Sequence, residues 1–243
     1  MVDSFWKNHP MIWIITDSGK FTYPNKVVVP DKNWVQCNQA GLVNLLEKGI
    51  IQKESLILLL LEDHVPISPL RVDDILDVTE IMQTHHLDFV SLTGFGREDA
   101  FTFETNTNVK LYPIHPSFKF YSELHPAIWR VSHLLEMFSL AEQTQTNNPW
   151  AFELLIPPST KHYTTPNLWT SVFSGFLVGG FVTKTAVDSM KNPNTISLQN
   201  KICRDYFLQR PRYYLLKLKR SFQSGKIREF IDFVFQKFFV GEV

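Results

Sequence analysis

Short unbroken apolar runs alternate along the chain with stretches whose apolar residues recur at helical spacing. Met11-Ile12-Trp13-Ile14-Ile15-Thr16 predicts a buried strand closed by Asp17-Ser18-Gly19, and Lys26-Val27-Val28-Val29 predicts a short one ended by Pro30-Asp31. From Asn38 to Glu47, Leu42, Val43, Leu45 and Leu46 predict a helix that stops at Gly49. Ile57-Leu58-Leu59-Leu60-Leu61 then reads as a strand buried on both faces. It ends in Glu62-Asp63-His64, and Val65-Pro66-Ile67-Ser68-Pro69 cannot continue a central strand. Asp73 to His85 predicts a helix with Ile75, Leu76, Val78, Ile81 and Met82 on its inner side, and Asp88 to Leu92 predicts the next strand. This alternation implies an α/β fold, a mostly parallel sheet flanked by helices.

Beyond Leu92 the pattern loosens. Residues 94–116 are polar and irregular, with room for a short hairpin. Phe118 to Tyr121 reads as a strand leading into a helix from Ala127 to Leu140, with Pro126 suited to its first turn. Thr144 to Asn148 is a loop before Pro149-Trp150-Ala151-Phe152-Glu153. After Leu155 the sheet signal fades, and Leu168–Met190 and Lys201–Phe239 look helical, broken by Pro193 and Pro211. The expected division is an α/β core over 1–160 and a helical C-terminal extension over 161–243, without repeats.

Composition narrows the class. Of 243 residues, 44% are hydrophobic and 20% charged, the balance of an ordinary globular protein. The two cysteines, Cys37 and Cys203, have no metal-type spacing and suit a reducing compartment, so a cytoplasmic location is expected. The first ten residues lack the apolar core of a signal peptide, and Leu168–Val182 is too short and interrupted to span a bilayer. The net charge of zero conceals an asymmetry: Lys201 to Val243 holds ten Lys/Arg against four Asp/Glu. Basic residues there interleave with Tyr213, Tyr214, Leu215, Leu216, Leu218, Phe222 and Ile227. On a helix that pattern sets an apolar face beside a basic rim, so the tail either meets an anionic membrane surface peripherally or packs on the core. Nothing in the pattern points to nucleic acid.

Candidate chemistry concentrates at the end of the Ile57–Leu61 strand. In open α/β sheets ligands bind just beyond the carboxyl ends of strands. Carboxylates such as Glu62 and Asp63 there can hold a divalent cation against a phosphate-bearing substrate, or simply cap the next helix. His85-His86 reads as a helix C-terminal cap. The glycines at 175, 179 and 180 lack the setting of a phosphate loop, and no Gly-x-Ser-x-Gly or His-Glu-x-x-His motif occurs.

Three pieces occur in a fixed order: Trp34 ahead of a helix, the Leu-Leu-Leu-Glu-Asp-His strand end, and a segment from His125 to Glu153. That segment contains His-Pro-Ala-Ile-Trp, Leu134-Leu135 and Pro149-Trp150-Ala151-Phe152-Glu153. Over roughly residues 5–155 the chain resembles bacterial and viral glycosyltransferase-like proteins with a GT-A-type nucleotide-sugar fold. The resemblance implies a sugar transferred from a nucleotide-sugar donor to a glycan or lipid-linked acceptor. It puts Glu62, Asp63 and His64 at the acidic motif that meets the donor diphosphate, Asp63 as the metal ligand through Mn²⁺ or Mg²⁺. Glu153 takes the place of the base that deprotonates the acceptor, with Trp150 and Trp129 as sugar-stacking residues. The motif is Glu-Asp-His rather than Asp-x-Asp. Proteins of this kind begin with a nucleotide-holding strand, and Asp3-Ser4-Phe5-Trp6 looks like the helix after it, as in a shortened member. The alternative is a catalytically inactive relative that serves as a binding or membrane-peripheral module.

Overall fold

Side chains alternate across a strand, and the central strands use that alternation to feed two cores. In the computed structural model, which describes residues 10–17, 23–61, 71–157, 161–166, 168, 177–178 and 181–182, the chain divides into compact units Met1–Ser171 and Val172–Val243. The first unit contains β1 (Ile14–Thr16), β2 (Lys26–Val28), α1 (Trp34–Glu47), β3 (Leu56–Leu59), α2 (Val72–Thr84), β4 (Phe89–Ser91), β5 (Phe103–Glu104), β6 (Lys110–Pro113), β7 (Ala127–Arg130), α3 (Val131–Gln143), α4 (Pro149–Phe152) and β8 (His162–Thr164). Six strands form one sheet in the order β3-β7-β4-β8-β6-β5. Val90 and Ile128 turn to one face, where Ile75, Val78 and Met82 of α2 cover them. Phe89 and Trp129 turn to the other, against Leu134, Met137 and Phe138 of α3 and Val35 and Leu42 of α1. Each such buried side chain contributes about 1.5–3 kcal/mol relative to exposure, which is why β4 and β7 anchor the sheet.

The protein is therefore α/β with an open sheet flanked by helices, but the sheet is mixed. Among its neighbouring strands only β4 and β8 run parallel; β3–β7, β7–β4, β8–β6 and β6–β5 are antiparallel. β1 and β2 pair in parallel as a separate two-stranded sheet. β3 stands at the end of the sheet and is half-buried along its length, rather than enclosed on both faces.

Several predicted elements shift. Ala127–Arg130, expected as helix, is the strand β7, and α3 follows it directly with Arg130 at its N-cap. Pro126 thus precedes a strand. Phe118–Tyr121, expected as a strand, is turn: the Phe118 N–H donates to the His115 carbonyl at 2.8 Å. β8 lies within the sheet although it follows residue 160. The hairpin foreseen in 94–116 is β5–β6. In the second unit, Leu177–Val178 pairs antiparallel with Phe181–Val182, strand where helix was expected. Gly179-Gly180 between β-forming residues is the overlooked hairpin signal. The rest of the predicted extension, the basic tail included, lies outside the described residues, as does Asp3–Trp6. Among the described residues no helix is long and apolar enough to cross a membrane.

Both ends of α1 and the C-terminus of α2 follow capping rules. Asn33 caps α1 by accepting from the Gln36 N–H at 2.9 Å, which starts the helix at Trp34. Gly49, at φ 66°, and Ile50 return their N–H groups to Leu46 and Leu45, a Schellman turn at the predicted stop. His86, at φ 51°, and Leu87 do the same for Gln83 and Met82.

Candidate functional site

Leu59, Ala127, Ser91 and Thr164 form one row across four adjacent strands. Three of them end β3, β4 and β8, while Ala127 begins the reversed β7. The carboxyl ends of three strands therefore share an edge with the loop that feeds β7, the position where α/β sheets bind ligands. Backbone bonds close this edge. The Leu92 N–H donates to the Pro126 carbonyl and the Thr165 N–H to the Ser91 carbonyl, each at 2.9 Å. The Gly94 N–H reaches the Thr164 hydroxyl at 3.0 Å. Gly94 sits at φ 85°, and a Cβ there would come within 2.9 Å of the Pro166 backbone, so the close approach requires glycine.

Glu123 lies at the centre of this edge with 1% of its surface exposed. A buried carboxylate costs several kcal/mol unless its oxygens are hydrogen-bonded, and here donors surround it. The Ser91 hydroxyl donates to Oε1, the Thr93 hydroxyl reaches the same oxygen at 2.9 Å, and His125 Nδ1 lies 3.0 Å from Oε2. The Phe95 ring packs against the His125 ring, centroids 5.4 Å apart. Glu153 braces the loop from behind: its Oε1 accepts the Leu124 N–H at 2.9 Å, while the Ser122 hydroxyl donates to the Leu155 carbonyl at 2.8 Å.

Deeper in the sheet, His133 and His162 face each other, Nε2 to Nε2, at 2.9 Å. Tyr121 stacks on His162 with ring centroids 4.6 Å apart, and its carbonyl lies 2.9 Å from His162 Nδ1. Burial pushes His162 down to about 3, against the pull of the Tyr121 carbonyl, and burial also lowers His133.

The expected site residues distribute unevenly. Glu153 joins the edge as the C-cap of α4 and the anchor of Leu124. Trp150, on the same short helix, is 73% exposed, an open ring face. Trp129 is fully buried, wedged against Phe89 at 4.4 Å and His133 at 5.8 Å, so it belongs to the core and offers a sugar no face. Glu62, Asp63 and His64 lie outside the described residues. Among the described residues no cluster of His, Cys, Asp or Glu could hold a metal ion. Glu123 has its oxygens committed to side-chain donors, so no metal step is assigned here. Ser91, Thr93, Glu123 and the role of His125 escape the sequence pattern. The available signal is spacing: Ser91-x-Thr93 and Glu123-x-His125 each hold two polar side chains two residues apart.

Compared with known family models, with curated proteins and with solved structures, the chain finds no match.

Proposed function

We propose that the protein is a glycosyltransferase-like enzyme with a GT-A-type core, moving a sugar from a nucleotide-sugar donor to a glycan or lipid-linked acceptor. The observation that carries this reading is the gathering of Glu123, His125 and Glu153 at the shared carboxyl edge of β3, β4 and β8. In sequence, the acidic Glu62-Asp63 follows two residues after Leu60, just past the end of β3. Glycosyl transfer needs two things of a protein at such an edge: relief of the charge growing on the departing diphosphate, and a group to take the acceptor's proton. Glu62 and Asp63 suit the first requirement, with Mn²⁺ or Mg²⁺ as the cation the resemblance implies; the cluster around Glu123 suits the second. Trp150 supplies an exposed aromatic surface for a sugar ring near Glu153.

Turnover of a panel of UDP-, GDP- and CMP-sugars, with and without Mn²⁺, tests the reading. Wild type is expected to turn over at least one donor and Asp63→Ala none, with the thermal unfolding of the two alike. Absence of turnover across the panel, with or without calorimetric donor binding, overturns the enzymatic reading; binding alone selects the inactive relative.

A further inference from the structure

The row of Leu59, Ala127, Ser91 and Thr164 continues one strand further. Tyr112 of β6 stands opposite Thr164, as Ser91 does from the other side, so all three side chains leave the same face of the sheet. On that face the Ser91 hydroxyl meets Glu123. Beyond Tyr112 the contacts run on in one line. The Phe101 ring meets the Tyr112 ring edge-on, centroids 6.2 Å apart. The Lys110 ammonium lies 4.5 Å from the centre of the Phe101 ring, and the Arg97 guanidinium 5.4 Å from that of Tyr112. Backbone bonds hold the line in place. Arg97 bridges Ile114, and the Glu98 N–H donates to the Pro113 carbonyl at 2.8 Å. The Thr102 N–H donates to the Leu111 carbonyl at 2.9 Å.

Phe101 is 43% exposed, Arg97 is exposed, and Tyr112 and Lys110 are half-buried, so the strip faces solvent beside the carboxyl edge. Glu104 stands opposite Lys110 in the ladder, yet the ammonium turns over the Phe101 ring. Among the described residues neither cation is ion-paired. Such cations keep their donors for an anionic ligand, and the rings beside them suit the apolar C–H faces of sugars. Glu98, Asp99 and Glu104 flank the strip in sequence. They repel a nucleic-acid strand, whose binding depends on neutralising successive phosphates, but they accept hydrogen bonds from hydroxyls. The two rings also stand at 70° to each other, not in the parallel succession that stacked bases use.

We infer that Arg97, Phe101, Lys110 and Tyr112 form a binding strip for an acidic oligosaccharide, in which carboxylate-bearing rings alternate with neutral ones. Arg97 and Lys110 take the carboxylates, and Phe101 and Tyr112 take the ring faces. The strip starts in the row that holds Ser91, where the acceptor glycan of the transferase reading would lie. Naming that acceptor as acidic rests on that reading; the strip itself does not.

Calorimetric titration of the full chain, with no donor present, tests the strip. A hyaluronan tetrasaccharide and sialyllactose serve as acidic probes, maltotetraose as the neutral one and oligouridylate as the nucleic acid. At least one acidic probe should bind about tenfold more tightly than maltotetraose, and more weakly as salt rises. Arg97→Gln combined with Lys110→Gln should lower that affinity about tenfold. Arg97→Lys combined with Lys110→Arg, which returns both charges, should recover most of the loss. The comparison of probes on wild type stands whether or not a variant folds. Equal binding of acidic and neutral probes overturns the role of the cations, and tighter binding of oligouridylate replaces the glycan with nucleic acid. No binding of either acidic probe at millimolar concentration overturns the strip. A chain that binds an acidic probe yet turns over no donor keeps the strip and loses the transferase reading. One that transfers sugar to neutral acceptors alone and binds no acidic probe keeps the reading and loses the strip.

Discussion

The facing imidazoles of His133 and His162 can hydrogen-bond only if one donates and the other accepts. The Tyr121 carbonyl requires a hydrogen on His162 Nδ1, which leaves His162 Nε2 as acceptor and His133 Nε2 as donor. Both rings are therefore neutral in the folded protein, and His133 Nδ1, with no hydrogen-bond partner among the described residues, faces the Glu136 carboxylate only at 3.6 Å. A second proton on His162 would set two Nε2–H groups against each other and leave one charge in a dry core. With the folded-state value of His162 at about 3, below the ordinary 6.5, the unfolded chain binds the proton more readily. Stability is thus complete above pH 6.5 and falls as the pH drops toward 3, by about 1.4 kcal/mol per pH unit for each proton excluded. His133, shifted in the same direction, steepens the fall. Urea unfolding at several pH values should show this acid limb, and His162→Gln should flatten it. An unchanged limb in that variant would assign the acid sensitivity elsewhere.

At the scale of elements, one guanidinium joins the end of a helix to the end of a strand. Arg130, closing β7, donates through Nη2 to the carbonyls of Met82 and Leu87, each at 3.0 Å, and through Nη1 to the Glu54 carbonyl at 3.2 Å. Its Nε lies 3.4 Å from Asp88. These carbonyls include those a helix leaves unsatisfied at its C-terminus, where a cation is also favoured by the dipole. His85 and His86 form the expected C-terminal cap through their backbone, and the cation at this helix end is Arg130. Arg130→Met should cost about 2–4 kcal/mol in thermal unfolding, and Arg130→Lys should recover only part of it, because an ammonium lacks the planar fork. Equal stability of wild type and the Met variant would deny the guanidinium this role. The same junction shows where the sequence misleads. The strands β1 to β4 and helices α1 and α2 are legible because Pro, Gly and Asp punctuate their ends. Between Trp129 and Val131 no turn residue intervenes, so in sequence the helical spacing of α3 runs on backward through β7. β8 reads His162-Tyr163-Thr164, as short as β1, β2 and β4 but without their apolar run, so nothing in sequence marks it as a strand. At the site, the carboxyl edge was legible from the β3 segment, but Glu123 and Ser91 were not, because their association depends on a reversed strand that brings positions 32 residues apart together.

For the whole molecule, charge separates along the sequence: the last 43 residues, 201–243, carry ten Lys/Arg against four Asp/Glu. Co-sedimentation with phosphatidylglycerol vesicles at low salt, but not with neutral vesicles, is the expected outcome, since each engaged cation contributes roughly 1 kcal/mol. Binding should fade as salt rises, and deletion of 201–243 should abolish it; equal behaviour toward both lipids would leave the tail without a membrane role.

The reversed strand β7 also governs when the molecule can form at all. Among the described residues, β4 meets its sheet neighbours through residues 127–130 and 162–164, and β3 pairs through 127–130. On a ribosome adding about 5–20 residues per second, Leu56–Leu59 and Phe89–Ser91 must wait several seconds without partners. Those are apolar segments with open edges, the kind that pair with other chains when left exposed. A nascent chain halted before β7 would be a ready client for chaperones, and pairing so distant in sequence makes refolding slow relative to a helical protein of equal length.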